Sequence, residues 1–431
     1  MEKEAFKIVK KLNEKGFTAY YAGGFVRDKL LGNPISDIDI ATDAKTEDIQ
    51  NIFEKTIPIG ASFGVVQVHQ GGYQFEVATF REEGAYSDGR HPDKVSFTTP
   101  EKDALRRDFT INGMFYDPTT HKIIDYIDGQ KDLKKKVIRT IGDAHKRFEE
   151  DKLRMLRAVR FASRLRFHLE EKTKKVIFQM ASHISQVSAE RVRDEVLKIL
   201  TSGKARSGFE LLDEVGLLKE ILPEISAMKG VEQPSEFHPE GDVYIHTMMM
   251  LEKLEKGIHP EVALGILLHD VGKPPTFKVA ERIRFDAHEN VGANMAAHIC
   301  KRLRMSKAST EHVVSLVKQH MKFKDVKNMR ESTLKRFLRQ DKFQDHMYLH
   351  KIDCSSSHNI LEAYEFCEKK IKEFGKEKMK PTPFVTGQDL INLGLKPGPT
   401  FKKILTLIED AQLEGKIRSK EEALDLIKKN Y

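Results

Sequence analysis

Three hydrophobic patterns follow one another along the chain. Residues 1–16 read as an amphipathic helix. Residues 17–140 break into short β-rich runs separated by turns, among them "GVVQVHQ", "YQFEVATF" and "KVSFTT". From about residue 143 a period of about 3.6 takes over, carried by "DLKKKVIRTIGDAHKRFEEDKLRMLRAVRFASRLRFHLEEKTKKVI", with no strand-like run after "KVIRTIG". A turn-rich stretch, "VEQPSEFHPEGD" at 231–242, interrupts the helical pattern. A histidine-bearing helical segment runs to about residue 375, and "KEKMKPTPF" reads as a linker into a small helical tail. The pattern predicts an α+β chain: a head with a small β-sheet over 1–140, then helical segments over 141–230 and 231–375, and a helical tail over 381–431.

Within the head, "AGGFVRDKLLGNPISDIDIAT" at 22–42 carries candidate chemistry. Gly23 and Gly24 end a strand and open a short helix closed by Gly32, a turn whose backbone N–H groups can approach a phosphate. "SDIDIAT" alternates, so Asp37 and Asp39 share one face of a strand and Ile38 and Ile40 the other. Paired carboxylates raise each other's pKa, and a divalent cation removes the conflict; all-oxygen ligands suit Mg²⁺. Glu76 in "QFEVATF" is a weaker candidate for a third acid and reads more readily as a solvated strand residue. "EKDALRRDFTINGMFYD" offers the doublet Arg106 and Arg107 for a triphosphate, with Asp108 and Asn112 to order the arginines or take a ribose hydroxyl. "EEDKLRMLRAVRFASRLRF" reads as one helix over 149–167. Arg154, Arg157, Arg160 and Arg164 form a stripe on it, Asp151 flanks them, and Met155, Leu156, Val159 and Ala162 lie opposite. Phe161 and Leu165 fall near the arginines, so the two faces do not separate cleanly.

Charge and composition narrow the class. The 431-residue chain is 39% hydrophobic, which excludes general disorder, and its formal net charge of +8 favours a polyanionic partner. Three cysteines, Cys300, Cys354 and Cys367, have neither metal-type spacing nor a disulfide framework. No signal peptide or membrane-length apolar run is legible, so a cytoplasmic protein with no membrane partner is expected.

The run GGxVRDxLLGxxxxDxDxxT, here Gly23, Gly24, Val26, Arg27, Asp28, Leu30, Leu31, Gly32, Asp37, Asp39 and Thr42, resembles the opening signature of the tRNA nucleotidyltransferase and poly(A) polymerase family. That resemblance implies a polymerase β-like nucleotidyltransferase head, followed by a helical neck and body. Asp37 and Asp39 would be catalytic and hold two Mg²⁺ ions, and Gly24, Arg27 and Arg107 would hold the nucleotide. EDxxR, here Glu150 to Arg154, is similar to the family's template that reads the incoming base, which implies that Asp151 and Arg154 read it while Arg157 and Arg160 line or orient the site. "REEGAYSDGRHPDKVSF" at 81–97 resembles the family's flexible loop, whose presence leans towards addition of a terminal A.

In the second half, His246, His269-Asp270, His288, His320 and Asp353 occur in the order H…HD…H…H…D, which resembles the HD superfamily of metal-dependent phosphohydrolases. An adjacent His-Asp in an apolar helix needs partners, and imidazole plus carboxylate suits a divalent metal whose identity the ligand set does not choose. The resemblance implies tRNA, CTP and ATP as partners and template-independent CCA addition, joined to an HD phosphohydrolase. An A-adding enzyme, a poly(A) polymerase, or an HD phosphohydrolase with an RNA-binding head are the alternatives.

Overall fold

The computed structural model describes residues 1–60, 64–84, 95–236 and 238–431. They divide into two compact units. The first is Met1–Ser226 with Leu254–Gly257 and Arg302–Arg304; the second is Ala227–Lys253, Ile258–Lys301 and Met305–Tyr431.

The first unit opens with the helix Glu2–Glu14, which buries Ala5, Ile8, Val9 and Leu12 at helical spacing. The strands follow: β1 (Ala19–Ala22), β2 (Asp39–Thr42), β3 (Thr56–Gly60), β4 (Val65–Gln70), β5 (Tyr73–Thr79), β6 (Arg81–Glu83), β7 (Val95–Phe97), β8 (Phe115–Asp117) and β9 (Lys122–Ile124). Seven of them form one sheet in the order β3-β4-β5-β2-β1-β8-β9, and β6 pairs with β7 alone. The β2–β5 pair is parallel and the other pairs are antiparallel. Tyr21, Phe75, Phe80 and Phe115 are buried in this head. The β1–β2 register ends on Ala22 opposite Asp39, so the acid lies beside the glycine turn. Gly23 takes φ +65°, which strains any residue with a Cβ, and its N–H donates to the Met114 carbonyl 3.1 Å away. The helix Gly24–Leu31 starts there and ends at Gly32, which is left-handed at φ 67°.

Three expectations need correction. First, β2 begins at Asp39. Asp37 precedes the strand because the β1 pairing stops at Ala22, and its carboxylate accepts the Ile38 N–H at 2.9 Å. The alternation survives in burial, since Ile38 and Ile40 are buried while Asp37 and Asp39 are exposed. Second, the arginine helix is broken. Ala144–Glu150 ends at Asp151, whose φ is −148°, and a new helix runs Leu153–Leu165. The Asp151 carboxylate takes the Leu153 N–H at 3.0 Å and so competes with the helical backbone for a donor. Third, strands do occur after "KVIRTIG": β11 (His168–Leu169) pairs in parallel with β10 (Val137–Ile138), which lies within that run, and β12 (Phe277–Val279) pairs with β13 (Ile283–Phe285). Runs of two or three residues are too short to leave a periodic signal. Of the loop at 81–97, residues 85–94 lie outside the described residues; its ends are the antiparallel β6 and β7.

In the second unit the helix Pro260–Leu268 is buried all round from Val262 to Leu268 and delivers His269 and Asp270 at its end. Around it stand Val243–Glu252 with His246, His288–Arg302, Lys307–Gln319 leading into His320, and Phe343–Ser356 with Asp353. Gly272 is the tightest joint in this arrangement. A Cβ there would lie 2.1 Å from the His288 carbonyl oxygen and 2.6 Å from the Gly292 nitrogen, both backbone atoms that cannot swing aside. Gly272→Ala is therefore expected to lower the second unit's melting transition in calorimetry by an amount equivalent to about 1–3 kcal/mol or more, because overpacking forces two backbones apart. A transition unchanged from the parent would mean that the two segments are not in contact.

Candidate active sites

The first site is an open cavity of about 580 Å³ in the first unit, lined by Gly23, Gly24, Arg27, Asp39, Arg107, Asp108, Asn112, Asp151, Arg154, Arg157, Arg160 and Phe161 among others. Asp39 opens into it. Its setting in the cleft, then Asp37 and Glu76, push its carboxyl up to about 6, against the pull of Arg107. Asp37 itself does not line this cavity.

The arginines are held by carboxylates from several elements. Arg27 is buried. Its Nε and Nη2 donate to Asp28 at 3.0 and 2.6 Å, and its Nη1 to Asn112 at 2.7 Å. Asp103, buried in the helix Pro100–Arg106, accepts from Arg106 Nε at 2.8 Å and Arg107 Nε at 3.0 Å. Asp108 takes the Arg157 Nε at 2.9 Å and the Asn112 amide at 3.1 Å. Burial alone would raise Asp108, but Arg157 and these hydrogen bonds hold it down at about 2. Arg160 pairs with buried Glu195 at 3.0 Å; burial, with repulsion from Arg157 and Arg164, brings its guanidinium down to about 10 despite Glu195. Arg154 is buried, and its Nη1 donates to Glu150 at 2.6 Å and to the Arg147 carbonyl at 2.9 Å. Asp151 is gripped by Arg191 through two contacts of 3.1 and 2.7 Å. The stripe is thus a paired, partly buried wall rather than a solvated face. Phe161 belongs to it: its ring packs edge-on against Phe109, under the Arg160 guanidinium 4.5 Å from the centroid. Asp103, Arg191 and Glu195 escaped the sequence reading. Asp103 precedes the arginine doublet at helical i+3 and i+4 spacing, a signal that could have found it. Arg191 and Glu195 are distant in sequence and carry no such mark.

The second site lies in the second unit, where all six expected residues come together. One set of three is His246, His269 and Asp353; an adjoining set is Asp270, His288 and His320. His269, His288 and His320 each direct Nδ1 at the backbone carbonyl three residues earlier, Ile266, Phe285 and Val317, at 2.8, 3.0 and 2.6 Å. A donated Nδ1–H leaves each Nε2 as a lone pair, the form a metal takes. His288 Nε2 and His320 Nε2 face each other at 3.2 Å, and His269 Nε2 stands 3.1 Å from Asp270 Oδ2 without a hydrogen bond. Burial first, then His269, brings the His320 ring down to about 3. His246 is different. Burial opposes its charge, yet a hydrogen bond to Asp353 at 3.1 Å and the Glu240 carboxylate 2.7 Å from Nδ1 push it up to about 9. Asp270 sits well below the usual carboxylate range: burial opposes this, but His269 and Lys273, the latter 2.7 Å away, prevail. Glu240 and Lys273 were not singled out from sequence, although Glu240 lies in the turn-rich stretch at 231–242 and Lys273 three residues after Asp270. Beside this cluster is a largely apolar cavity of about 570 Å³ lined by Phe285, Met321, Phe323 and His350, with Lys273 and Lys324 at its wall.

Among the described residues no helix is long and apolar enough to cross a membrane. Residues 19–139 match the poly A polymerase head domain, 166–229 the probable RNA and SrmB-binding site of polymerase A, and 243–351 the HD domain. A CCA-adding enzyme of Lactobacillus delbrueckii subsp. bulgaricus is 45% identical over 218 residues, 50% of this chain and 55% of that one. One of Geobacillus thermodenitrificans is 46% identical over 215 residues, 50% of this chain and 53% of the relative. The match thus spans about half the length of these relatives. The crystal structure of the Bacillus stearothermophilus CCA-adding enzyme in complex with CTP is similar at a TM-score of 0.76 and 27% identity, covering 99% of this chain and 97% of that one. The Thermotoga maritima CCA-adding enzyme complexed with tRNA shares the fold at a TM-score of 0.59 and 22% identity, covering 98% and 93%. The chain belongs to the family of CCA-adding enzymes and poly(A) polymerases, and it carries an HD domain in addition to the polymerase head.

Proposed function

We propose that this chain adds C, C and A to the 3′ end of tRNA from CTP and ATP without a nucleic-acid template, in the cytoplasm, and that its HD domain is a metal-dependent phosphohydrolase. The observation that carries the first part is the single cavity that brings the glycine turn, Asp39 and Arg107 together with Asp151 and Arg154. The relatives' CCA-adding activity and the bound CTP of the Bacillus stearothermophilus structure support it.

The residues fit a hard divalent cation. Desolvation in the cleft, and after it the charges of Asp37 and Glu76, push the Asp39 carboxyl up to about 6, and a cation would offset that cost. Asp37 and Asp39 would hold Mg²⁺, which when bound makes a 3′-hydroxyl more acidic and neutralises a triphosphate. The backbone N–H at Gly24 and the Arg107 guanidinium would grip the phosphates, and Arg27 would brace that grip from its buried pair with Asp28. At the other end, a carboxylate on Asp151 accepts from an exocyclic amine, which C and A both present, while the Arg154 guanidinium donates to the ring nitrogen or carbonyl beside it. U and G leave these partly buried groups unpaired. Asp108 and Glu195 hold Arg157 and Arg160 in place beside them.

In the HD domain His246, His269, Asp270, His288, His320 and Asp353 would hold a divalent metal. The fit rests on the three Nε2 lone pairs that their Nδ1–H bonds leave free. Such a metal would polarise a phosphate ester and lower the pKa of an attacking water. Lys273, paired with Asp270 and bonded to Gln233 at 2.6 Å, would hold a phosphate oxygen at the same place.

Asp37→Ala or Asp39→Ala should cut nucleotide incorporation by far more than tenfold, ~1.4 kcal/mol of barrier, while tRNA binding in a titration stays near the parent's. Incorporation within about tenfold of the parent would remove these acids from the chemistry. Asp151→Ala or Arg154→Ala should erode discrimination among CTP, ATP, UTP and GTP in competition assays more than it weakens tRNA binding; unchanged discrimination in both would leave this helix a general RNA contact. His269→Ala or Asp270→Ala should abolish hydrolysis of phosphate monoesters and 2′,3′-cyclic nucleotides and spare CCA addition. Removing one partner of a buried pair can cost about 3–5 kcal/mol, so cooperative melting of the variant is the necessary control. A folded variant hydrolysing at the parent's rate would refute the HD assignment.

A further inference from the structure

Asp151 is in contact with a residue that the base-reading scheme does not use. An ionised carboxylate has about four lone-pair sites, two on each oxygen. On Oδ1 they are met by the Leu153 N–H at 3.0 Å and Arg191 Nη1 at 3.1 Å; on Oδ2 one is met by Arg191 Nη2 at 2.7 Å. Among the described residues, the hydrogen bonds to this carboxylate leave one lone pair of Oδ2 open, and Asp151 lines the nucleotide cavity while Arg191 does not. Arg191 belongs to the helix Ala189–Leu200, which packs along Leu153–Leu165; Glu195, one turn further on, pairs with Arg160.

We propose that Arg191 is a positioning residue for base selection: its two-pronged grip fixes Asp151 so that a single acceptor site faces the position of an exocyclic amine. This rests on the reading of Asp151 as a base-contacting residue. The grip matters because a carboxylate accepts from any N–H. Cytosine presents an amine at the exocyclic position, whereas uracil presents a carbonyl there and an N–H on the neighbouring ring nitrogen. A pinned carboxylate meets the uracil carbonyl acceptor to acceptor. A carboxylate free to turn about its side-chain torsions reaches the ring N–H instead and accepts uracil. The same argument holds for guanine against adenine. Loss of Arg191 therefore changes which base is taken, and not merely how much activity survives.

The test uses the full chain with a tRNA lacking its 3′ CCA, CTP competing with UTP and ATP with GTP. Arg191→Ala should raise U incorporation relative to C by at least about tenfold and raise KM for CTP more than it lowers kcat. Arg191→Lys, which keeps the charge but not the fork, should fall between parent and Arg191→Ala. In the double variant with Asp151→Ala, removing Arg191 should add nothing to the loss caused by Asp151→Ala alone. Asp194→Ala, on the exposed side of the same helix, controls for general damage. If Arg191→Ala melts like the parent and keeps its C-to-U ratio within about twofold while Asp151→Ala loses it, the inference is wrong and the base-reading role stands. If Asp151→Ala also keeps the ratio, the base-reading role itself fails and this inference fails with it. Should Arg191→Ala not fold, Arg191→Lys decides: a parental C-to-U ratio overturns the inference.

Discussion

Crowding of like charge is the constraint on which the first site depends. Arg27, Arg107, Arg154, Arg157 and Arg160 line one cavity, and guanidinium groups at such density repel one another unless anions are brought among them. The fold supplies the anions from scattered places. Asp28 comes from the short glycine-capped helix, Asp103 and Asp108 from either end of the arginine doublet, Glu150 from the helix before the break, and Glu195 from a helix some 40 residues later. Asp108 is held at about 2 by this arrangement, whereas Arg160 is down at about 10 because burial and its arginine neighbours outweigh Glu195. Such pairs add little net stability, because desolvation offsets their attraction, but they fix the positions of the groups they join. The proposed polyanionic substrate would complete the balance that the carboxylates only begin.

The HD cluster meets a related constraint with different groups. Three of its four imidazoles, His269, His288 and His320, are crowded with Asp270 into a buried interior, which favours neutral rings and disfavours a free anion. The rings are oriented by their own helices, each Nδ1–H directed at the carbonyl three residues back, so ligand direction is set by backbone geometry. Lys273 supplies the nearest fixed positive charge to Asp270. Close approach at Gly272 makes this possible, because the turn after His269-Asp270 touches the start of the helix that carries His288.

What could be read from sequence follows from the range of each interaction. The glycine turn, the capped short helix and the alternating burial at Ile38 and Ile40 are local, and the pattern at 22–42 announced them. The buried face of Met155, Leu156, Val159 and Ala162 was equally plain, since helical period alone sets it. Phe161 blurred the stripe on paper because its partners, Phe109 and the arginines above it, lie in different elements. Arg191 and Glu195 were illegible for the same reason. Their role is a contact across two helices, and neither residue type nor spacing marks it. The broken helix was missed because propensity and period both favour continuity, while a single hydrogen bond from the Leu153 N–H to the Asp151 carboxylate opposes it.

That break has a further consequence. In one continuous helix Asp151 and Arg154, three residues apart, would lie on one face and pair with each other, consuming the acceptor and donors that a base needs. Turning the chain at Asp151 separates them. Asp151 swings to Arg191, and Arg154 takes Glu150 and the Arg147 carbonyl instead. Each group is neutralised by a partner other than its fellow, and both line the same cavity wall. A protein that reads bases with its own side chains has to solve this problem: complementary groups must stand close enough to meet one base and yet be kept from satisfying each other. On the proposed reading of Asp151 and Arg154 as base-contacting groups, the extended backbone of Asp151 and the helix that bears Arg191 solve it together.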